Sequence, residues 1–225
     1  MAHSVDLFWS FRSPYSYLIT ERVVDLAKVY DVPVHVRPIF PLAIRSADWL
    51  QGLNPMWEAY MLKDTQRVAE ILGVPYRCWP RPDPVIMNFE TKEVDKEQPY
   101  IYRLVYLAIE AELRNKGLEF IWEVGKLLWS GEIDGWDQGD HLAEAVARAG
   151  LDLASLDASI HDGRAYASIA EGNLAALKRI GHWGVPTLVY DGEPFFGQDR
   201  FDMCVWRLRQ RGLKKRVPES VPSAS

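Results

Sequence analysis

Ser13 and Ser16 flank Pro14 and Tyr15 at the spacing at which two cysteines would form a dithiol redox loop in front of a helix. With oxygen at both positions no disulfide can form, and the chemistry left is that of a hydroxyl at a helix N-terminus. Ser13-Pro14 is also an ordinary helix start, because a cap hydroxyl satisfies a free N–H and proline lacks one. A second signal lies far along the chain, where Gly184-Val185-Pro186-Thr187 precedes an apolar run. A proline there makes sense if the Val185–Pro186 bond is cis, since cis bonds are nearly confined to X-Pro.

The elements around these residues must bring them together. Val5-Asp6-Leu7-Phe8-Trp9 is short, apolar and bounded by Ser10, which suits a buried strand. The helix that follows carries Tyr17, Val24 and Ala27, with Leu18 and Tyr30 alongside, on one side, and Glu21, Arg22, Asp25 and Lys28 on the other. Val32, Val34 and Val36 then alternate with Pro33, His35 and Arg37, giving a second strand parallel to the first. From about residue 47 to 181 the pattern is helical, with helices expected over 54–72, 98–115, 118–130, 139–149 and 164–180. Four prolines between 75 and 84 interrupt it early and predict an irregular loop. After Gly181 the chain reads as a strand over 186–190, a turn at Asp191-Gly192, a strand over 194–196, and a helix over 199–211 capped by Asp199 and ended near Gly212. The tail VPESVPSAS reads as disordered. The order β-α-β, helices, β-β-α predicts an α/β protein of thioredoxin-like fold with a large all-helical insertion. Its thioredoxin-like part is residues 1–41 and 181–225, and the insertion is 42–180. In thioredoxin-like proteins the cis-proline loop lies opposite the redox-motif loop, so the two signals point to one site.

At the level of the whole chain, 225 residues suffice for a substantial core, and 48% hydrophobic with 25% charged residues is an ordinary globular composition. A net charge of −5 with scattered basic residues argues against nucleic acid. MAHSVDLFWSFR has no basic segment followed by an apolar run, and no stretch reads as a membrane span, so a cytoplasmic protein without a membrane partner is expected. Cys78 and Cys204 fit neither a disulfide framework nor a zinc pattern, and His3, His35, His141, His161 and His182 never pair at i, i+3 or i+4, so no metal is expected.

Ser13-Pro14-Tyr15-Ser16-Tyr17-Leu18, Tyr60 with Asp64 and Arg67, Gly184-Val185-Pro186-Thr187 and Phe196-Gly197-Gln198-Asp199-Arg200 resemble 2-hydroxychromene-2-carboxylate isomerases and the related kappa-class glutathione transferases, of the DsbA-like thioredoxin superfamily. The resemblance runs from about residue 5 to 212 and implies a glutathione site, with Ser13 on the glutathione sulfur. That carry-over agrees with physical chemistry. A free thiol of pKa ~8.5 is only about 3% thiolate at neutral pH, and each unit of lowering needs ~1.4 kcal/mol. A serine hydroxyl and the free N–H groups of a helix N-terminus supply such stabilisation.

Under this resemblance the Val185 backbone beside Pro186 pairs with the peptide part of glutathione. Asp199 accepts its ammonium group or merely caps the last helix, and Gln198 with that helix N-terminus holds the neighbouring carboxylate. Asn54 and Asn173 match positions near the active site, or else cap and turn the chain. Relatives commonly carry a lysine where this chain has Trp57, so Lys63 or Arg12 is a candidate for the glycine carboxylate. Trp9, Trp57, Trp79 and Trp183, with Phe11 and Tyr15, would suit a planar aromatic co-substrate if they are not core or dimer-interface residues. Arg81 is a candidate carboxylate clamp. The leading expectation is a glutathione-dependent cis-trans isomerase acting on an aromatic or unsaturated keto acid from aromatic degradation, in a homodimer. The alternatives are a kappa-like transferase conjugating electrophiles, and a non-catalytic binding protein of thioredoxin fold.

Overall fold

The computed structural model describes residues 3–46 and 52–216. Its element order is β1 (Val5–Trp9), α1 (Pro14–Val29), β2 (Val34–Pro38), α2 (Leu42–Arg45), α3 (Pro55–Leu72), α4 (Ile101–Leu113), α5 (Gly117–Trp129), α6 (His141–Arg148), α7 (Leu153–Ser159), α8 (Gly163–Arg179), β3 (Thr187–Tyr190), β4 (Glu193–Phe196) and α9 (Phe201–Gln210). The four strands form one sheet in the order β2-β1-β3-β4. β1 runs parallel to β2 and antiparallel to β3, and β3 runs antiparallel to β4. This is the thioredoxin-like arrangement expected from the sequence, with the helices α2 to α8 inserted between β2 and β3.

The period of two along β1 assigns its faces. Val5, Leu7 and Trp9 join the main core with residues of α1, α4, α5 and α9, while Phe8 packs on the opposite face with Ile39, Leu177 and Val189. The inserted helices therefore share a continuous core with the sheet. Residues 16 to 20 of α1 are all buried, a wider buried face than one amphipathic stripe, because α5 and α3 pack against this helix. Trp9 Nε1 donates to the Ser16 carbonyl at 2.8 Å and to Thr20 Oγ1 at 3.0 Å, which fixes the first turns of α1 to the end of β1. Among the described residues no helix is long and apolar enough to cross a membrane.

Several boundaries differ from the sequence expectation. The second strand starts at Val34 rather than at Val32, because its register on β1 pairs Val5 with Val34 and Trp9 with Pro38. Two short helices, α2 and α7, were not expected; α7 is started by Asp152, whose Oδ1 accepts the Ser155 N–H at 2.7 Å. The last helix begins at Phe201 after a 3₁₀ turn over Gln198–Arg200, so Arg200 rather than Asp199 holds the cap position, with no side-chain cap bond. Val217 to Ser225, where disorder was expected, lie outside the described residues.

Candidate active site

Ser13 sits at the N-cap of α1 with extended backbone angles, and Pro14 follows as the first helical residue. Ser13 Oγ accepts the Ser16 N–H at 3.2 Å. The hydroxyl faces the Val185 carbonyl across 3.5 Å, at the limit of a hydrogen bond. The Val185–Pro186 peptide is cis, as the sequence predicts. Residues 172 positions apart thus meet, the start of α1 on one side and the loop into β3 on the other. Gly184 gives room there: a Cβ on it would lie 2.5 Å from Phe196 Cε2 and 3.1 Å from His182 Cε1, so the Phe196 ring would have to shift.

Ser13 opens into a cavity of about 550 Å³ between this loop pair and the inserted segment. The thioredoxin-like part contributes Ser13, Tyr15, Val185 and Phe196 to its wall. The inserted segment contributes Trp57, Met61, Trp79, Met87 and Phe89, a mainly apolar and aromatic surface. Tyr15 is held by its hydroxyl, which donates to Asp64 Oδ2 at 2.6 Å, and Tyr60 donates to the other Asp64 oxygen at 3.2 Å. Burial first and the Asp64 carboxylate second push the Tyr15 phenol far above its ordinary value, so it remains a neutral donor.

Among the described residues, three cations line the cavity. Arg12 makes a two-pronged contact to Asp83, with Nε to Oδ1 at 2.9 Å and Nη2 to Oδ2 at 2.9 Å, and lies 4.8 Å from the Trp79 ring centroid. Lys92 Nζ pairs with Glu58 at 2.7 Å. Arg45, at the C-terminal end of α2, donates to the Phe40 carbonyl at 3.0 Å and to the Trp183 carbonyl at 2.9 Å. Neither cysteine is part of the cavity wall: Cys204 is in the core, and Cys78 is partly buried behind the wall, next to Trp79 and near Arg12. Ser16 is fully buried, and its Oγ has no hydrogen-bond partner among the described residues. Of the two hydroxyls in the former dithiol pattern, only Ser13 faces the cavity.

Of the other residues singled out from the sequence, Val185, Tyr15 and Trp183 line the cavity, and Pro186 is buried beside Val185. The expectation for Phe11 needs correction, and the remaining residues are placed as follows. Phe11 is 0% exposed, packed edge-on against Trp9 and Phe120, because the residue after β1 turns into the core; it cannot contact a substrate, and Trp9 is equally buried. Arg81 lies outside the cavity wall, is exposed, and faces Asp134 at 3.7 Å. Asn54 caps α3, with Oδ1 accepting the Met56 N–H at 2.9 Å, and Asn173 donates to the Pro38 carbonyl at 3.0 Å, so both serve the backbone. Gln198 and Asp199 lie outside the wall in the 3₁₀ turn; Gln198 accepts from Arg22 through its carbonyl, and Asp199 pairs with Arg200 at 2.8 Å. Lys63 is exposed on α3, and Arg12 is engaged by Asp83. The sequence reading missed Arg45, Met87, Phe89 and the Glu58–Lys92 pair. Phe89 and Lys92 lie in a stretch without periodicity, and Arg45 belongs to a helix of one turn, so no pattern marked them.

A model of the DSBA-like thioredoxin domain matches residues 4–209. No curated protein matches the chain. Among solved structures, a 2-hydroxychromene-2-carboxylate isomerase superposes with TM-score 0.64 at 20% identity, over 92% of this chain and 95% of that one. A probable DsbA oxidoreductase from Streptomyces coelicolor gives 0.63 at 17% identity, over 99% and 94%. The cytosolic disulfide reductase DsbM from Pseudomonas aeruginosa gives 0.56 at 14% identity, over 92% and 99%. At these identities the likeness is one of fold.

Proposed function

The chain belongs to the DSBA-like thioredoxin domain family, and from that premise we propose that it is a glutathione-dependent isomerase of conjugated keto acids. The observation that carries this reading is the position of Ser13. Its hydroxyl stands at the N-terminus of α1 opposite the Val185 carbonyl, in the wall of a mainly apolar cavity whose described lining holds no cysteine. A family site built for sulfur, with oxygen in place of its own sulfur, needs a thiol that arrives with a ligand. Glutathione is the ligand that the sequence resemblance implies.

Ser13 Oγ–H and the Tyr15 N–H of the first turn would then stabilise the glutathione thiolate by hydrogen bonding, aided by the helix dipole. Because the resting contact to the Val185 carbonyl is 3.5 Å long, redirecting the hydroxyl proton toward sulfur sacrifices little. The thiolate adds to the carbon of the conjugated double bond remote from the keto group, and the bond's electron pair moves onto the keto oxygen as an enolate. The bond, now single, rotates. Collapse of the enolate restores the double bond in the other geometry and expels the thiolate, so glutathione is returned unchanged. Trp57, Trp79 and Phe89 give a planar acid an aromatic wall, and exclude water from the enolate.

The test is incubation of the protein with glutathione and a cis-configured conjugated α-keto acid, following both isomers and total glutathione. Appearance of the trans isomer only when glutathione is present, with glutathione fully recovered, is the expected result. Accumulation of a glutathione conjugate would instead assign irreversible transfer to electrophiles. Absence of any glutathione binding at millimolar concentration would overturn the proposal.

A further inference from the structure

We infer that Arg45 is the carboxylate anchor of the cavity, and that the site selects planar unsaturated monocarboxylic acids through it. The inference starts from the charges on the cavity wall. Arg12 and Lys92 are each matched by a carboxylate, Asp83 and Glu58 respectively, so neither offers net charge to a ligand. Arg45 has no carboxylate partner among the described residues. Its hydrogen bonds go to the neutral carbonyls of Phe40 and Trp183, and commit one edge of a guanidinium that has further N–H donors. Burial lowers its pKa to about 10, which leaves it cationic at neutral pH. A cation partly stripped of water beside apolar walls is stabilised by a ligand anion more than by solvent.

The position of Arg45 fits such a ligand. Arg45 and Ser13 both reach the loop that leads into β3, Arg45 at the carbonyl of Trp183 and Ser13 at that of Val185. One residue, Gly184, separates these two positions, so the guanidinium and the hydroxyl lie within about 13 Å of each other. That is the scale of a small conjugated acid lying between its carboxylate and an attacking sulfur. The walls between are aromatic and apolar, so the same cavity disfavours a neutral polar head or a second charge at the far end.

The assignment rests on the proposed isomerase only in treating the acid as a substrate; binding of the acid is tested without glutathione. Tryptophan fluorescence and calorimetric titrations compare trans-cinnamate with its neutral isostere cinnamamide. The wild-type protein should bind cinnamate at least about tenfold more tightly than the amide. Arg45→Gln should erase the preference, and Arg45→Lys, which keeps the charge but not the fork, should retain part of it. Circular dichroism of each variant shows whether it has folded, and the wild-type comparison needs no variant at all. Equal binding of acid and amide by the wild type would overturn the inference, as would an undiminished preference in folded Arg45→Gln. A parallel glutathione titration separates the two readings. Loss of glutathione affinity in Arg45→Gln with the cinnamate preference intact would assign Arg45 to glutathione and sink the inference. Arg45-dependent cinnamate binding in a protein that does not bind glutathione would uphold the anchor and reject the isomerase.

Discussion

Replacing Ser13 separates the cap role of its hydroxyl from the thiolate-donor role proposed for it. As an N-cap, Ser13 Oγ accepts the Ser16 N–H at 3.2 Å, and losing a serine cap costs about 1 kcal/mol. The helix survives that loss, because the Ser16 N–H keeps its bond to the Ser13 carbonyl at 3.0 Å and Trp9 still holds the Ser16 carbonyl. As a donor to a bound thiolate the same hydroxyl is worth more, about 1.5–3 kcal/mol for a hydrogen bond to a charged group. At ~1.4 kcal/mol per unit that is one to two units of thiol pKa. A glutathione thiol lowered by one to two units from about 8.5 releases roughly a quarter to three-quarters of a proton on binding at about pH 7.

Calorimetric titration of glutathione in buffers of different ionisation enthalpy counts that proton. Ser13→Ala should bring the count close to zero and lower stability by only about 1 kcal/mol. Ser13→Asp is the sharper variant, since aspartate is as good a cap as serine but sets a carboxylate where the thiolate would lie. It should melt like the wild type and release no proton on any residual binding. Undiminished proton release and affinity in folded Ser13→Ala would refute the thiolate-donor argument, leaving Ser13 as a helix cap alone.

Other consequences follow from neighbouring contacts. Arg12 and Asp83 have side chains only 8% and 10% exposed, so Asp83→Ala leaves a buried guanidinium unpaired and should lower stability by about 3 kcal/mol in urea unfolding, while a loss under about 1 kcal/mol would show the pair to be well solvated. Ser16 Oγ is buried without a partner among the described residues, so Ser16→Ala should melt at the same temperature or higher and bind glutathione unchanged; weakened binding would place Ser16 in the site after all. Burial pushes the Cys204 thiol up to about 12, so in the native protein it should resist alkylation at about pH 8 and react only on unfolding, and rapid native labelling of Cys204 would contradict its place in the core. Burial lowers the His182 pKa, and its Nδ1 accepts the Gly184 N–H at 2.9 Å. The unfolded chain therefore takes up the proton first, and the His182 contribution, intact above about pH 6.5, is lost as pH falls through the lower folded value. Melting temperature should drop between about pH 7 and pH 5, by less in His182→Gln; an equal drop in both would assign it to other groups.

The fold was legible because its strongest signals are local. The apolar run of β1, the alternation in β2, the Ser13-Pro14 start and the Asp191-Gly192 turn each depend on a few adjacent residues, and the thioredoxin order follows from them. What failed depends on tertiary packing. Phe11 reads as a site aromatic because it precedes Ser13, yet the chain turns there and its ring enters the core, with its carbonyl accepting from Trp129 Nε1 at 3.0 Å. Asp199 has the residue type of a cap, but a 3₁₀ turn intervenes and moves the helix start past it. Arg45 carries no sequence mark, because what distinguishes it is the carbonyls it meets, one of them 138 residues away.

These failures share a physical cause that bears on the site itself. The half of the cavity proposed to meet sulfur is framed largely by backbone: the N-terminus of α1, the Val185 carbonyl and a glycine that admits Phe196. Backbone geometry follows from short patterns such as Ser-Pro and Gly-Val-Pro-Thr, so that half can be read from sequence. The half that would choose the second substrate is made from side chains of the insertion, held by pairs such as Arg12–Asp83 and Lys92–Glu58 that cross between separate segments. Because those pairs neutralise themselves, they can change partners or disappear without altering the charge offered to a ligand. Arg45, which has no carboxylate partner among the described residues, differs: under the proposed anchor role, moving it would change which ligands the cavity accepts. Substrate choice in this protein is therefore expected to change through the inserted segment and the residues around Arg45, while the Ser13 and Val185 pole stays fixed by the needs of the helix and the sheet.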